Sequence, residues 1–247
     1  MPRTPREKSS SGIYHIMMRG INRQSIFSDD EDNGKFLTTL SDCKALCGFE
    51  LYGYCLMGNH VHLLLKETDE DIGQIVKRIS SRYVIWFNRK YMRSGHLFQE
   101  RFKSETVNND KYFVTVLRYI HQNPKLARLC ESISDYKWSS YNEYIKKSRI
   151  VNTDFALELI GKKDFERFMT ESSNDVCLED TVPRKVFTDI EVADIIEKRF
   201  NIKALMVQNE KREKIEHICK EILKVEGIST RQLARVTGIS TNIIWTL

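Results

Sequence analysis

The 247-residue sequence has no run of eighteen apolar residues, so no membrane-spanning helix can be read from it. Its opening residues, MPRTPREKSSS, are polar and basic with no apolar segment behind them. That pattern lacks a secretory signal, and the cytoplasm is the expected compartment. The six cysteines, Cys43, Cys47, Cys55, Cys130, Cys177 and Cys219, include no CxxC pair. This argues against a zinc ribbon or a disulfide framework and leaves buried, reduced thiols as the expectation. Internal repeats and low-complexity tracts are also missing. What is present is ordinary: 41% hydrophobic and 30% charged residues, enough to build a core in one or two domains. The net charge of +5 is unevenly spread, because residues 1–150 carry 24 basic against 17 acidic side chains and the remainder 15 against 17. A basic first part is compatible with a polyanionic partner without specifying one.

Residues 12–20 (GIYHIMMRG) read as a strand, and 29–48 as a helix with acidic residues at its start and Gly48 at its end. FELYGYCLM and HVHLLLKE, separated by Gly58-Asn59, read as a hairpin. A long amphipathic helix follows over 69–93, with Ile72, Ile75, Val76, Ile79, Tyr83, Trp86 and Phe87 on one broad face. A strand around 97–107 then precedes a helix over 110–123, whose expected end is set by Pro124. The order β-α-β-β-α-β followed by another helix predicts an α+β fold. It is the ferredoxin-like split βαβ layout, an antiparallel sheet with helices on one side.

After residues 136–145 the pattern changes to short helical stretches with polar breaks. The expected organisation is a first domain over 1–149, a helical connector over 150–183 and a small all-helical domain over 184–247. SSND at 172–175 and Thr181-Val182-Pro183 mark the candidate hinge. In the last stretch a helix is followed by a short helix capped by Ser229, a turn at Thr237-Gly238-Ile239 and a helix opened by Ser240, which resembles a helix-turn-helix.

On a strand, His60 and His62 project from the same face while Val61 points to the other. Two neutral imidazoles side by side can hold a metal ion, although an isolated HxH is more often two histidines packed on a sheet. On the 110–123 helix, Tyr119 and Asn123 are four residues apart and share a face. Taken alone, Tyr119 could be a core aromatic and Asn123 a cap before Pro124.

Together, GIYHIMMRGINRQSIF, LMGNHVHLLL, GHLFQERFKSETV, LRYIHQNP and WSSY resemble the REP-associated tyrosine transposases, a branch of the HUH single-tyrosine (Y1) transposases. The resemblance runs over about residues 12–145 with the motifs in the family's order. It implies an HUH domain with His60 and His62 as metal ligands, Tyr119 as catalytic tyrosine and Asn123 in the third-ligand position. Related enzymes have glutamine there, and Gln122 lies about 100° round the helix. It further implies a divalent ion, Mg²⁺ or Mn²⁺, single-stranded or hairpin DNA as partner, and a 5′-phosphotyrosine intermediate. Monomer and homodimer both stay open.

For phosphate contacts, Arg78, Arg82, Arg89 and Arg93 are spaced to form a stripe on the 69–93 helix. Arg19 and Arg23 flank the end of the first strand, and Arg101 and Lys103 alternate to one face of the fourth, with Phe98 and Phe102 opposite. His15, His96 and His121 are assigned only structural roles. Two alternatives stand beside the transposase: a sequence-specific DNA-binding regulator on the same scaffold, and a nickase of the replication-initiator or relaxase type.

Overall fold

Apolar residues in the first half of the chain assemble into one four-stranded antiparallel sheet. The computed structural model describes residues 6–99, 101–172, 177–178, 187–225 and 228–245. The strands are β1 (Ile13–Arg19), β2 (Glu50–Met57), β3 (His60–Lys66) and β4 (Lys103–Thr106). They pair in the order β2-β3-β1-β4, every neighbour antiparallel, so β3 splits β1 from β2 as the element order predicts. The β4 ladder is shorter than the expected 97–107; upstream of it, among the described residues, Phe98 forms an isolated bridge to Gly20.

Two helices follow their expected positions. α1 (Asp30–Cys47) starts where the Asp29 carboxylate accepts the Asp32 N–H at 2.9 Å, and it ends at Gly48. α2 (Ile72–Lys90) is shorter than 69–93 because the Asp71 carboxylate caps it, accepting from the Gly73 and Gln74 amides. The two helices are tied together where the start of α1 meets the end of α2: the Lys90 ammonium lies 2.7–2.9 Å from carboxylate oxygens of Asp29, Glu31 and Asp32. The Tyr91 hydroxyl donates to the buried Asp32 at 2.8 Å. Met18 on one sheet face and Val76 and Val84 of α2 line a common groove of about 620 Å³, which identifies the face that α2 covers.

The additional helix, α3 (Asp110–Leu126), lies on the opposite face. It can approach β2 closely because Gly53 has no side chain: a Cβ there would sit 2.8 Å from Leu117 Cδ1. Pro124 does not end this helix as expected. It lies inside, buried, and the chain continues helically to Leu126. Only the hydrogen bond that a residue-124 N–H would make is lost. The Ala127 and Leu129 amides still donate to the carbonyls of Asn123 and Pro124, both at 2.9 Å.

Residues 138–140 run along the outer edge of β2, with the Leu56 N–H on the Trp138 carbonyl and the Ser140 N–H on the Tyr54 carbonyl. Beyond α4 (Tyr141–Ile145), the Glu143 carboxylate accepts from the amides of Arg149, Ile150 and Val151 and from the Tyr54 hydroxyl, pinning that loop to the sheet. α5 (Asp154–Ile160) and α6 (Phe165–Thr170) fall in the stretch expected as a connector and pack against α3. The chain divides into two units, Met1–Glu179 and Asp180–Leu247. Thr181-Val182-Pro183 and residues 173–175 of the candidate hinge lie outside the described residues.

The second unit contains α7 (Asp189–Phe200), α8 (Arg212–Leu223), α9 (Thr230–Thr237) and α10 (Thr241–Trp245). Ser229 caps α9, and Gly238 ends it in the left-handed conformation. Val192, Ile196, Val207, Ile218, Ile222 and Leu233 form its separate core.

Gly20 closes β1 under a tight constraint, since a Cβ there would stand 2.2 Å from the Gln24 carbonyl oxygen and 2.9 Å from Ile26 Cγ2. Backbone cannot rotate aside as a side chain can. Gly20→Ala is therefore expected to destabilise the domain by about 1–3 kcal/mol, read as a lower denaturant midpoint at unchanged slope.

Candidate active site

The register of β1 against β3 builds the site. Arg19 pairs with His60, Met17 with His62 and His15 with Leu64, and directly opposed residues share a sheet face. His15, Arg19, His60 and His62 therefore point to the side covered by α3. From α3 comes Tyr119, almost fully buried, whose ring centroid is 5.7 Å from that of His62 and 5.9 Å from that of His15, both edge-on. The His60 and His62 rings are 5.0 Å apart and nearly perpendicular. One turn beyond Tyr119, the Asn123 side chain hydrogen-bonds His60. Two imidazoles, a phenol and a carboxamide thus converge from β3 and α3.

Hydrogen bonds fix the two imidazoles from behind. His60 Nδ1 is 2.7 Å from Asn59 Oδ1, and the Asn59 amide nitrogen in turn donates to the Arg23 carbonyl at 3.3 Å. His62 Nδ1 is 3.0 Å from His15 Nε2. Burial pushes the His60 imidazole down to about 4, helped by the nearby Arg19 charge and opposed by Asn123. His62 is driven well below its ordinary value by burial first, then by His15, His60 and Arg19. Both rings are neutral at physiological pH and offer lone pairs. Among the described residues no group of three His, Cys, Asp or Glu side chains gathers to hold a metal. The donor set here is two neutral imidazoles plus a carboxamide oxygen, which suits Mn²⁺ or Mg²⁺ with further positions filled by water or phosphate oxygens.

Gln122 is engaged elsewhere: its amide nitrogen donates to the carbonyls of Met169 and Glu171, at 2.7 and 2.8 Å. The basic residues divide by position. Arg19 is half-buried beside the site, its guanidinium close enough to Tyr119 and Arg23 for their charges to interact. Lys103 opposes Met17 on the site's face of the sheet. Arg78, Arg82 and Arg89 belong to α2, on the other face. Arg78 is bound there by Glu70 at 2.7 Å, and Arg93 lies past the helix end, bonded to Gln24 and the His96 carbonyl. Arg101 precedes β4, and the adjacent Phe102 carries the Arg6 guanidinium 3.6 Å above its ring. Of the three histidines given only structural roles from the sequence, His15 is the one the structure brings to the site. Strand alternation put it on the same face as Arg19, but only the cross-strand register brings it to His62.

The sequence profile of IS200-like transposases matches residues 8–123. A curated REP-associated tyrosine transposase from Haemophilus influenzae is 25% identical over 152 residues, covering 57% of this chain and 86% of that protein. The fold resembles the solved structure of a REP-associated tyrosine transposase bound to a REP hairpin, with a TM-score of 0.52 and 16% identity over 62% of this chain and 96% of that one. Among the described residues no helix is long and apolar enough to cross a membrane.

The buried histidines make stability pH-dependent. His15 and His121 are held down to about 3 and His60 to about 4 by burial, against an unfolded value of about 6.5. The unfolded chain therefore binds more protons as pH falls through 6.5, and stability present above that pH is lost on the acid side. Denaturant midpoints should drop between pH 7 and pH 5 by the equivalent of roughly 1–2 kcal/mol per histidine. A flat profile would contradict their burial as neutral rings.

Proposed function

From the premise that residues 8–123 form an IS200-like transposase domain, which makes the protein an enzyme of the tyrosine transposase type, we propose that it cuts and rejoins single-stranded DNA with Tyr119 as nucleophile. The observation that carries this reading is the convergence of Tyr119 with His60, His62 and Asn123 on one sheet face. An edge-on phenol beside two neutral imidazoles offers a nucleophile next to the ligands of an electrophile. His60, His62 and Asn123 would hold a divalent ion, Mg²⁺ or Mn²⁺, which when bound supplies Lewis-acid polarisation of a phosphate oxygen.

A phenol of pKa about 10 is mostly protonated near neutral pH. Arg19 favours its phenolate electrostatically. The Tyr119 oxygen attacks phosphorus, the P–O3′ bond breaks, and the departing 3′-oxygen takes up a proton. The products are a 5′-phosphotyrosine and a free 3′-hydroxyl. Attack by a 3′-hydroxyl on the phosphotyrosine reverses these changes and returns the phenol, so the bond energy is conserved without ATP. Arg19, Arg23 and Lys103 lie on or beside the site and would contact phosphates there; Arg78, Arg82, Arg89, Arg93 and Arg101 would act on DNA that extends beyond it. Hairpin-containing ends are the proposed substrate, supported by the hairpin bound to the structural relative.

The test incubates labelled single-stranded hairpin oligonucleotides from the DNA flanking the gene with the protein, in Mn²⁺ or in chelator, on denaturing gels. A covalent adduct is expected only with metal, and Tyr119→Phe should abolish it while leaving hairpin binding in place. Binding without any adduct across several oligonucleotides and both metals would favour the regulator instead.

A further inference from the structure

His15 lies in the core of the first unit, fully buried, with one nitrogen on a candidate metal ligand and the other facing a carboxylate. Its Nε2 is 3.0 Å from His62 Nδ1, a bond made diagonally across the β1–β3 pair. Its Nδ1 has no hydrogen-bond partner and stands 3.9 Å from Glu105 Oε2, on the residue directly opposite it in β4. The Glu105 side chain also carries a hydrogen bond with the Tyr112 hydroxyl, which helps to hold it there.

With both rings neutral, the pair shares its protons in one of two ways. In one, His62 Nδ1–H donates to His15 Nε2, and the proton of His15 sits on Nδ1, pointing at Glu105. In the other, His15 Nε2–H donates to His62, and a bare lone pair on His15 Nδ1 faces the carboxylate. His15 is fully buried and Glu105 Oε2 is shut off from solvent although the rest of that side chain is partly exposed, so an N–H dipole facing this oxygen is favourable and a lone pair facing it is not. Glu105 therefore selects the first arrangement. That arrangement leaves His62 with its lone pair on Nε2. His60 follows the same logic, because Asn59 Oδ1 can only accept, so His60 carries its proton on Nδ1 and its lone pair on Nε2.

We propose that His15, backed by Glu105, is a positioning residue for the metal centre, fixing the tautomer and ring orientation in which His62 can ligate a divalent ion. The inference rests on the reading of His60 and His62 as metal ligands. Partners of this kind behind metal-bound imidazoles typically change metal affinity by about 10–100-fold when removed.

Two readouts test it on the full chain. In metal-free protein at pH 7, long-range ¹H–¹⁵N correlation spectra of the imidazoles should show His62 as the Nδ1–H tautomer. In His15→Leu the Nε2–H form should appear. Mn²⁺ binding, followed by the loss of the free-ion paramagnetic resonance signal, should weaken by about 10–100-fold in that variant. His15→Gln keeps a carbonyl acceptor and should recover most of the affinity; it also serves if the leucine variant does not fold. Glu105→Gln should weaken Mn²⁺ binding by a smaller factor. Hairpin binding in chelator should be the same for all variants. Unchanged Mn²⁺ affinity and an unchanged His62 tautomer in folded His15 variants would overturn the proposal and leave His15 as packing. Wild-type protein that takes up no Mn²⁺ would overturn the metal reading itself.

Discussion

The pairing of β1 with β3 is the constraint on which the site depends. A shift of one residue would send His60 and His62 to the face packed under α2 and bring Val61 and Leu63 to face α3. What holds the register is the apolar set itself: Ile16, Val61, Leu63 and Leu65 are fully buried on the face away from α3, and a slip of β3 would put His60, His62 and Lys66 there in place of its own apolar residues. The chemistry-bearing face is thus specified by the residues of the opposite one.

The second constraint is the seating of α3 on the sheet. Its apolar side buries Phe113, Val116, Leu117 and Ile120, and the same periodicity brings Tyr119 and Asn123 to the strands that carry the histidines. Gln122 then anchors α6 to α3 through two carbonyls, and the loop behind β2 is held by the single Glu143 carboxylate. The site floor is therefore fixed from several directions, by elements well separated in the sequence.

Much of this was legible beforehand because the signals were local. Alternation in residues 12–20 and 50–66, the acidic helix start at Asp29 with Gly48 at its end, and the apolar face of 69–93 located β1 to β3, α1 and α2 to within a few residues. The same locality explains what was missed. Pro124 argues for a helix end when only its own backbone is considered, whereas one missing hydrogen bond near the end of a well-packed helix is a small loss. The arginines of α2 form a stripe in sequence, but nothing local says on which face of the sheet that helix packs. His15 and Glu105 are ninety residues apart, and their juxtaposition follows from the β1–β4 register alone. Glu143 carries no local signal, because its four partners lie in the loop beyond α4 and on Tyr54 of β2, nearly ninety residues away.

Gly53 is a spacer of zero thickness. The distance between the helix that carries Tyr119 and the strand that carries the histidines is set where Leu117 meets the bare backbone of β2. A methyl group there, on a strand that supplies neither the phenol nor the imidazoles, would lift the one away from the other or force Leu117 aside. The permitted volume at residue 53 is consequently a tolerance on how far the phenol stands from the imidazoles, held by a residue with no side chain of its own.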